Sequence, residues 1–333
     1  MSQNRNVAAM LLGLSFSLPA CDRELTEPEA VSSLPSDPPS LAVTSNTWAT
    51  KRPLWPWRRS AGAGAINGIV YVAGGWSRSA PLARVDAYNI ATNTWSQVAS
   101  LPAARADVNG GSVINGKLYV TGGVNRSGLQ TRTLFVYDPA TNRWAQKADM
   151  PRAGCGGDQG VIGGQLYIYT GCFRSENAGA VFFRYNPSTN MWVKLAAPPV
   201  DHFHGAGAAF GGKFYLNGGY TSACGGSCMG NTHSLDIYNP ATNTWSTRLG
   251  RGSTATTGAA LNGKLYVLGG EGDTFNKTVN AYDPVTNTWT NKAPLPEGSA
   301  LGTATSANGK LYYIEGLTMA FAEVPSRVYA YTP

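Results

Sequence analysis

All three histidines of the chain, His202, His204 and His233, fall in one short stretch of sequence. His202 and His204 are two residues apart, so on an extended strand their side chains point the same way. Three imidazoles in one place can hold Zn²⁺, Cu²⁺ or Fe²⁺, with Asp201 or Glu176 as an oxygen ligand. The alternative is that each histidine only hydrogen-bonds a loop carbonyl. A transition-metal site is therefore one hypothesis, and no other cofactor is expected.

One pair of cysteines is placed by counting along a hairpin. Cys155 and Cys172 lie eight residues outward from Gly163 and Gly164, respectively, so an unbroken hairpin about these glycines sets them opposite one another. The eighth pair is a non-hydrogen-bonded one with Cα atoms roughly 4.5 Å apart, which lies within disulfide range. We therefore predict a Cys155–Cys172 disulfide.

The N-terminus has the pattern of an export signal. Arg5 precedes an apolar stretch over 7–18 that is too short for a stable transmembrane helix. The next residues, Leu18-Pro19-Ala20-Cys21, resemble the lipobox of bacterial lipoproteins, in which the cysteine is lipidated and becomes the new N-terminus. Ordinary signal-peptidase cleavage nearby is the alternative. We expect a signal peptide over 1–20, a flexible linker over 21–41, and an exported protein that is held to the cell envelope only by its N-terminal lipid.

Export also bears on the remaining cysteines. Cys224 and Cys228 flank Gly-Gly-Ser, and an oxidising compartment favours a disulfide between them over a thiolate metal site. Cys21 is then the odd cysteine, which is consistent with lipidation.

The chain beyond residue 41 is basic. It carries 24 Lys and Arg residues against 14 Asp and Glu residues, a formal charge of +10. Such a body favours anionic partners. It has no Lys/Arg run of the kind that tracks phosphates, so an acidic glycan or acidic sugar fits better than nucleic acid.

One sequence pattern recurs six times and must position all of these residues. Its first half is an apolar strand, a turn pair, a second apolar strand and a Gly-containing end. The copies are INGIVYVAGG (66–75), INGKLYVTGG (114–123), IGGQLYIYTG (162–171), FGGKFYLNGG (210–219), LNGKLYVLGG (261–270) and ANGKLYYIEG (307–316). Its second half is AYNIATNTW (87–95), VYDPATNRW (136–144), RYNPSTNMW (184–192), IYNPATNTW (237–245) and AYDPVTNTW (281–289).

The turns in this pattern have a physical meaning. Asn-Gly or Gly-Gly between apolar strands predicts a type I′ hairpin, in which both central residues need positive φ. The Pro-x-Thr-Asn segment predicts a second tight turn, because Asn tolerates the left-handed region. Each repeat is thus expected to be a four-stranded antiparallel sheet that must stack on its neighbours to bury its faces.

The repeat resembles the kelch repeat from residue 42 onward. The resemblance implies an all-β, six-bladed β-propeller over 42–333. The repeated tryptophans should pack between blades, and we expect a monomer. The last repeat stops after its third strand, while a lone fourth strand around Trp48 precedes the first repeat. The N-terminal strand should therefore complete the last blade and close the ring, with blades over 58–98, 104–147, 152–194, 203–249, 252–292, and 299–333 with 42–50.

The loops that differ between copies are the candidates for function. The strand 2–3 loops and the blade-to-blade loops should share one face, and variable loops on a rigid scaffold are where binding groups collect. These loops supply a predicted ring of ligand-binding residues around a central mouth, with more bases than acids: Arg59, Trp76, Arg78, Arg105, Asp107, Arg126, Arg174, Glu176, Glu271 and Asp273. Several of them can equally be solvated surface charges or inter-blade ion pairs.

The fold does not decide the function. Our leading hypothesis is a binding module for an anionic carbohydrate or a partner protein. The second is an enzyme similar to the bacterial sialic-acid mutarotases, in which arginine would hold the carboxylate and Glu176 or Glu271 would move the proton. The third is a metal-dependent oxidoreductase that distantly resembles the kelch domain of galactose oxidase, whose Cys–Tyr pair has no recognisable counterpart here.

Overall fold

A computed structural model describes residues 45–171, 179–221, 230–272, 274–319 and 325–333. All of the described residues belong to one compact unit. The predicted signal peptide, Cys21 and the linker lie outside the described residues. No helix long and apolar enough to cross a membrane occurs in the described part.

The described residues form six four-stranded antiparallel sheets and one two-stranded ribbon. The first three sheets contain β2–β5 (Gly62–Ile66, Ile69–Ala73, Val85–Asn89, Thr94–Val98), β6–β9 (Gly111–Ile114, Lys117–Thr121, Leu134–Asp138, Arg143–Lys147) and β10–β13 (Asp158–Ile162, Gln165–Thr170, Val181–Asn186, Met191–Leu195). The fourth contains β14, β15, β18 and β19 (Ala206–Phe210, Lys213–Asn217, Ser234–Asn239, Thr244–Leu249), and the ribbon is β16 with β17 (Tyr220–Thr221, Gly230–Asn231). The fifth contains β20–β23 (Thr257–Leu261, Lys264–Leu268, Val279–Asp283, Thr288–Asn291), and the sixth contains β24–β26 with β1 (Thr303–Ala307, Lys310–Ile314, Ser326–Thr332, Thr47–Leu54).

The sheets are the blades of a closed propeller. The first strands, β2, β6, β10, β14, β20 and β24, contact one another in a cycle around the axis. Six buried hydrophobic clusters each join two adjacent blades. The predicted six-bladed architecture is confirmed.

Ring closure by the N-terminal strand is also confirmed. β1 pairs with β26 from Thr47–Thr332 to Leu54–Ser326, with an irregularity after Lys51. The strand therefore ends later than the predicted residue 50, because Leu54 is fully buried and anchors its end.

Both predicted turn types occur. Asn67 and Gly68 have φ values of 50° and 76°, as a type I′ turn requires, and the corresponding pair is left-handed in every blade. These hairpin turns hold the register of the first two strands in each sheet.

The second turn clamps each blade to its neighbour. In blade two, Asn142 has φ 51° and its Oδ1 accepts hydrogen bonds from Tyr137 Oη (2.8 Å) and Ala99 N (2.9 Å). Trp144 Nε1 donates to Ala99 O of the preceding blade at 2.8 Å. The same tryptophan bond recurs at the other five junctions, donated by Trp48, Trp95, Trp192, Trp245 and Trp289. The repeated tryptophans therefore join the blades, as predicted.

Candidate functional site at the channel mouth

The variable loops lie together on one face. In five blades an isolated bridge joins the segment before the first strand to the loop after the second: Arg59–Trp76, Ala106–Val124, Phe203–Tyr220, Thr254–Glu271 and Ala300–Leu317. This pairing brings the blade-to-blade loops and the strand 2–3 loops to the same end of the channel, as the sequence predicts.

A ring of left-handed residues frames this end of the channel. One residue of each blade has φ between 48° and 60°, two positions before the first strand in five blades and four positions before it in blade two: Ser60, Asp107, Gly156, His204, Ala255 and Leu301. We call these six residues the mouth ring. Five backbone hydrogen bonds link neighbouring members around it, four of them directly and one through Thr256. The ring therefore holds side chains from different blades in fixed positions around one opening.

Behind the mouth ring lies a cavity of about 100 Å³, which we call the mouth cavity. Polar side chains from all six blades line it, and five of their atoms are buried with no hydrogen-bond partner in the protein: Ser60 Oγ, Asp107 Oδ1, Asp158 Oδ2, His204 Nε2 and Thr256 Oγ1. Buried polar groups in native proteins are almost always hydrogen-bonded. The mouth cavity is therefore suited to a ligand that supplies these bonds.

Asp107 and His204 form the central pair of the cavity. Asp107 Oδ1 and His204 Nε2 are 3.8 Å apart, too far for a direct hydrogen bond. Burial lowers the pKa of His204, and this effect exceeds the opposing influence of the Asp107 carboxylate. The imidazole is thus neutral at neutral pH. A neutral imidazole facing a carboxylate is able to give or take a proton from an oxygen placed between them.

The His204 ring is held by its neighbours. It stacks on Phe203 with the ring centroids 4.0 Å apart. Gly156 lies beneath both rings, where an added Cβ would come within 2.2 Å of Phe203 Cε2 and 2.7 Å of His204 Nε2. Only glycine leaves room for this arrangement, and its φ of 60° is also one that glycine adopts freely.

Asp158 lies deeper in the channel wall, at the start of β10. Burial raises its pKa to about 7, although the Gly207 backbone N–H partly offsets the effect. The equivalent positions in the other blades are Gly62, Gly110, Ala206, Thr257 and Thr303. Asp158 is therefore the only ionisable side chain among these six equivalent positions of the channel wall.

The outer rim combines aromatic rings with charges of both signs. Trp76 Nε1 donates to Asp107 Oδ2 at 2.8 Å, and the Arg59 guanidinium lies 5.7 Å from the Trp76 ring centroid. Across the opening, Tyr220 Oη donates to Glu271 Oε2 at 2.7 Å. The rim thus offers aromatic faces beside fixed hydrogen-bonding groups, an arrangement common in sites that bind polar organic ligands.

The predicted ring of bases is only partly formed. Arg105 is 6% exposed, and its guanidinium lies over Phe135 at 5.4 Å and donates to Ala104 O. The prediction that Arg105 faces the mouth is wrong, because its side chain packs back onto its own blade. Arg78 and Arg126 are exposed on the loops, whereas Arg174, Glu176 and Asp273 lie outside the described residues. Among the described residues, the inner part of the mouth contains more carboxylates than arginines.

The three histidines do not form the predicted cluster. His202 is fully buried, with Nδ1 2.8 Å from Gly218 O and Nε2 2.9 Å from Asp236 Oδ2. His204 belongs to the mouth ring and has φ 50°, so the two side chains do not share one face of a strand. His233 is exposed and packs against Gly252. No group of three His, Cys, Asp or Glu side chains in the described part of the chain is arranged to hold a metal ion.

The described residues include one of the four cysteines for which we predict disulfides. Cys155 is buried and disulfide-bonded, and the hairpin register on which its pairing was predicted extends from Ile162–Gln165 to Asp158–Tyr169. Cys172, Cys224 and Cys228 lie outside the described residues, so the pairings Cys155–Cys172 and Cys224–Cys228 stay predictions.

Comparison with known proteins agrees with this architecture. A family model described as the KLHDC2/KLHL20/DRC7 Kelch-repeats domain matches residues 109–316. The chain belongs to the kelch-repeat family. A kelch motif model also matches residues 58–102 of this kelch protein. No curated protein matches it.

Among solved structures, one entitled "Structure of YjhT" aligns with a TM-score of 0.68 and 17% identity. The alignment covers 84% of this chain and 95% of that one. At this identity the similarity concerns the fold alone.

Sequence reasoning missed several residues of the mouth. Ser60, Phe203, Tyr220 and Thr256 have no signal in the sequence, because their positions depend on contacts between blades. Asp158 does have a signal in the sequence, because an alignment of the repeats shows small or uncharged residues at the equivalent position of the other five copies.

Proposed function

We propose that this kelch protein binds a carbohydrate, with the sugar seated over the mouth cavity. The observation that supports the proposal is the set of five unpartnered polar atoms in one cavity. Sugar hydroxyls both donate and accept hydrogen bonds, so they suit a mixed set of carboxylate, hydroxyl and imidazole groups. Trp76 beside the opening offers an apolar face of the kind that packs on a sugar ring.

We further propose that the sugar is anionic. The body has an excess of ten positive charges, and Arg78 and Arg126 are exposed on the loops of this face. Arginine is well matched to a carboxylate because its planar guanidinium can donate two parallel hydrogen bonds. A partner protein that presents acidic side chains to the same arginines is the other outcome that the experiment below can reveal.

The test is a screen of the purified protein against a panel of acidic and neutral glycans, followed by titration of the best ligand. Arg126→Glu should weaken binding of an acidic glycan at least about tenfold, since a charge-assisted contact contributes roughly 1.5–3 kcal/mol. Lys213→Glu is the matched control, because Lys213 is exposed beside the hairpin turn of β14 and β15 on the opposite face. Equal weakening by both variants would reduce the interaction to diffuse attraction, which salt screens.

A second candidate function is mutarotation of an acidic sugar such as sialic acid. Its support is the Asp107–His204 pair, whose facing atoms, Asp107 Oδ1 and His204 Nε2, lie 3.8 Å apart and have no hydrogen-bond partner in the protein. His204 would take the proton from the anomeric hydroxyl and pass the same proton to the ring oxygen as the bond from that oxygen to the anomeric carbon breaks, while the Asp107 carboxylate stabilises the transient imidazolium. Closure on the other face reverses these transfers, so no cofactor is consumed.

This candidate has a direct test in NMR exchange between the anomers of N-acetylneuraminic acid. The wild type should accelerate exchange, and Asp107→Asn or His204→Gln should lower the rate by roughly 10²-fold or more, the contribution expected of a general acid or base. A wild-type rate equal to that of buffer alone would leave binding as the only function. Glu271, the earlier candidate for proton transfer, has one carboxylate oxygen bonded to Tyr220.

The location of the protein is a proposal of its own. The Cys21 motif suggests a lipid anchor in the cell envelope after export. Changing Cys21 to Ser should abolish acylation and release a folded protein into the soluble fraction. A wild-type N-terminus beyond Cys21 without lipid, seen by mass spectrometry, would rule out the anchor.

A further inference from the structure

The mouth cavity contains carboxylate oxygens that lack a hydrogen-bond donor in the protein. Asp107 Oδ1 and Asp158 Oδ2 can accept hydrogen bonds while their carboxylates are ionised, and neither has a partner in the protein. The other Asp107 oxygen is occupied by the Trp76 indole N–H. The free hydrogen-bonding capacity next to Asp107 is therefore that of an acceptor.

The distance across the central pair fits one bridging atom. A separation of 3.8 Å between Asp107 Oδ1 and His204 Nε2 is too long for a direct bond. An oxygen or nitrogen between them lies within hydrogen-bond distance of both, as bridging groups do in polar sites. Such an atom must donate to the carboxylate.

The charged groups around the cavity also favour a ligand group that donates hydrogen bonds. Arg59 lies at the rim, and its guanidinium stacks on the Trp76 ring instead of entering the cavity. Arg105 packs on Phe135. The carboxylates of Asp107 and Asp158 thus face the cavity without a cation among the side chains that line it in the described structure.

We propose that the mouth cavity accepts the hydrogen-bond-donating end of a ligand, a hydroxyl or an ammonium group, and rejects a carboxylate. The inference rests on the proposed carbohydrate function and deepens it by fixing which end of the sugar enters. A volume of about 100 Å³ admits an end group and not a whole ligand, which typically needs at least about 300 Å³. The sugar's anionic group then stays outside, where the loop arginines are exposed.

The experiment uses three small probes with the same three-carbon skeleton: glycerol, 3-amino-1,2-propanediol and malonate. The readout is the Trp76 indole N–H signal of the full chain labelled with ¹⁵N, because that group donates to Asp107. Glycerol or aminopropanediol should move this signal saturably, and the comparison between them tells a hydroxyl from an ammonium preference. Malonate should bind at least about tenfold more weakly, because either of its ends would bring a carboxylate against a like charge.

Asp107→Asn is the decisive variant. Removing the negative charge should make malonate bind more tightly and so narrow the difference in affinity between glycerol and malonate, a gain of binding that a merely structural defect does not produce. Asp149→Asn, at a partly exposed acid that lies near Arg132, should leave that difference unchanged. The exposed Trp55 indole provides a control signal that should not move.

Two results would overturn the proposal: malonate moving the Trp76 signal as strongly as glycerol in the wild type, or no probe moving it at all. The wild-type comparison decides the matter even if Asp107→Asn fails to fold. The outcome is also separable from that of the proposed function. A glycan panel without a ligand, together with saturable glycerol binding, would reject the carbohydrate function and retain the polar subsite.

Discussion

At the scale of single residues, the mouth depends on backbone conformations that most side chains disfavour. Ser60, His204 and Leu301 all adopt left-handed φ values, which cost non-glycine residues roughly 1–2 kcal/mol each. Hydrogen bonds such as Leu301 N to Ala255 O and Ser60 N to Leu301 O offset this cost. Strain of this kind tends to collect at functional sites, where the surrounding structure holds it in place.

Gly156 is the residue at which this can be tested most cleanly. Gly156→Ala adds a Cβ against Phe203 and His204 in a left-handed position, and we expect it to displace the imidazole and weaken glycan binding at least about tenfold. Gly128→Ala is the control, since Gly128 has φ 75° and open space around its Cα. Both variants should lose about 1 kcal/mol of stability from backbone strain. Unchanged binding in Gly156→Ala would show that the His204 position is irrelevant to the ligand.

A buried acid of blade six makes stability depend on pH. Glu315 is 3% exposed, and burial raises its pKa from the ordinary 4.5 to about 7. The folded state keeps the proton where the unfolded chain has lost it, so stability should fall as pH rises from about 4.5 to 7, by on the order of 2–3 kcal/mol. When urea unfolding is measured at pH 5 and at pH 8, the free energy of unfolding should fall less between the two pH values in Glu315→Gln than in the wild type. An equal fall in the wild type and in Glu315→Gln would mean that Glu315 is hydrated in the folded protein. Asp158 adds a fall of the same sign.

At the scale of elements, strands and turns were predictable because their causes are local. An Asn-Gly pair between apolar strands requires a left-handed turn wherever it occurs, so Asn67-Gly68 could be placed from sequence. The mouth ring could not be, because nothing in Ala255 or Leu301 favours positive φ and the bonds that hold them come from another blade. The histidine prediction failed for the same reason. It assumed that His202 and His204 lie on one extended strand, but His204 belongs to the mouth ring and its left-handed backbone interrupts the strand alternation.

The clamp between blades gives a prediction at this scale. Asn142→Gly keeps the left-handed turn but removes the bonds to Tyr137 and Ala99, so we expect a loss of about 1–3 kcal/mol in urea unfolding. Asn67→Gly makes the same change at an exposed turn outside the clamp and should change stability by less than about 0.5 kcal/mol. Similar losses in the two variants would assign the effect to the turn and not to the clamp.

At the scale of the whole molecule, six repeats become one cooperative body only if the ring is closed. The repeat period and the mismatch in phase between the chain ends were enough to predict this closure. The bonds that seal it repeat those of four other junctions: Tyr331 Oη and Ala293 N both donate to Asn46 Oδ1, and Trp48 Nε1 donates to Ala293 O. Fold and blade number therefore follow from sequence, whereas the chemistry of the mouth emerges only when six blades meet.

Removing the closing strand should open the propeller. A chain that begins at residue 55 lacks β1, so the edge of β26 and the Tyr331 ring, which lies 4.9 Å from the Trp48 ring, become exposed. The loss of Trp48, the Asn46 clamp and buried Leu54 should cost at least about 5 kcal/mol, enough to unfold or aggregate the body, because an unpaired edge strand also recruits other chains. A chain that begins at residue 45 retains β1 and serves as the control. A synthetic peptide of residues 45–54 should restore the thermal transition in trans, since it can pair with β26 in the native register. Equal melting temperatures for the chains that begin at residues 45 and 55 would contradict closure as the source of stability.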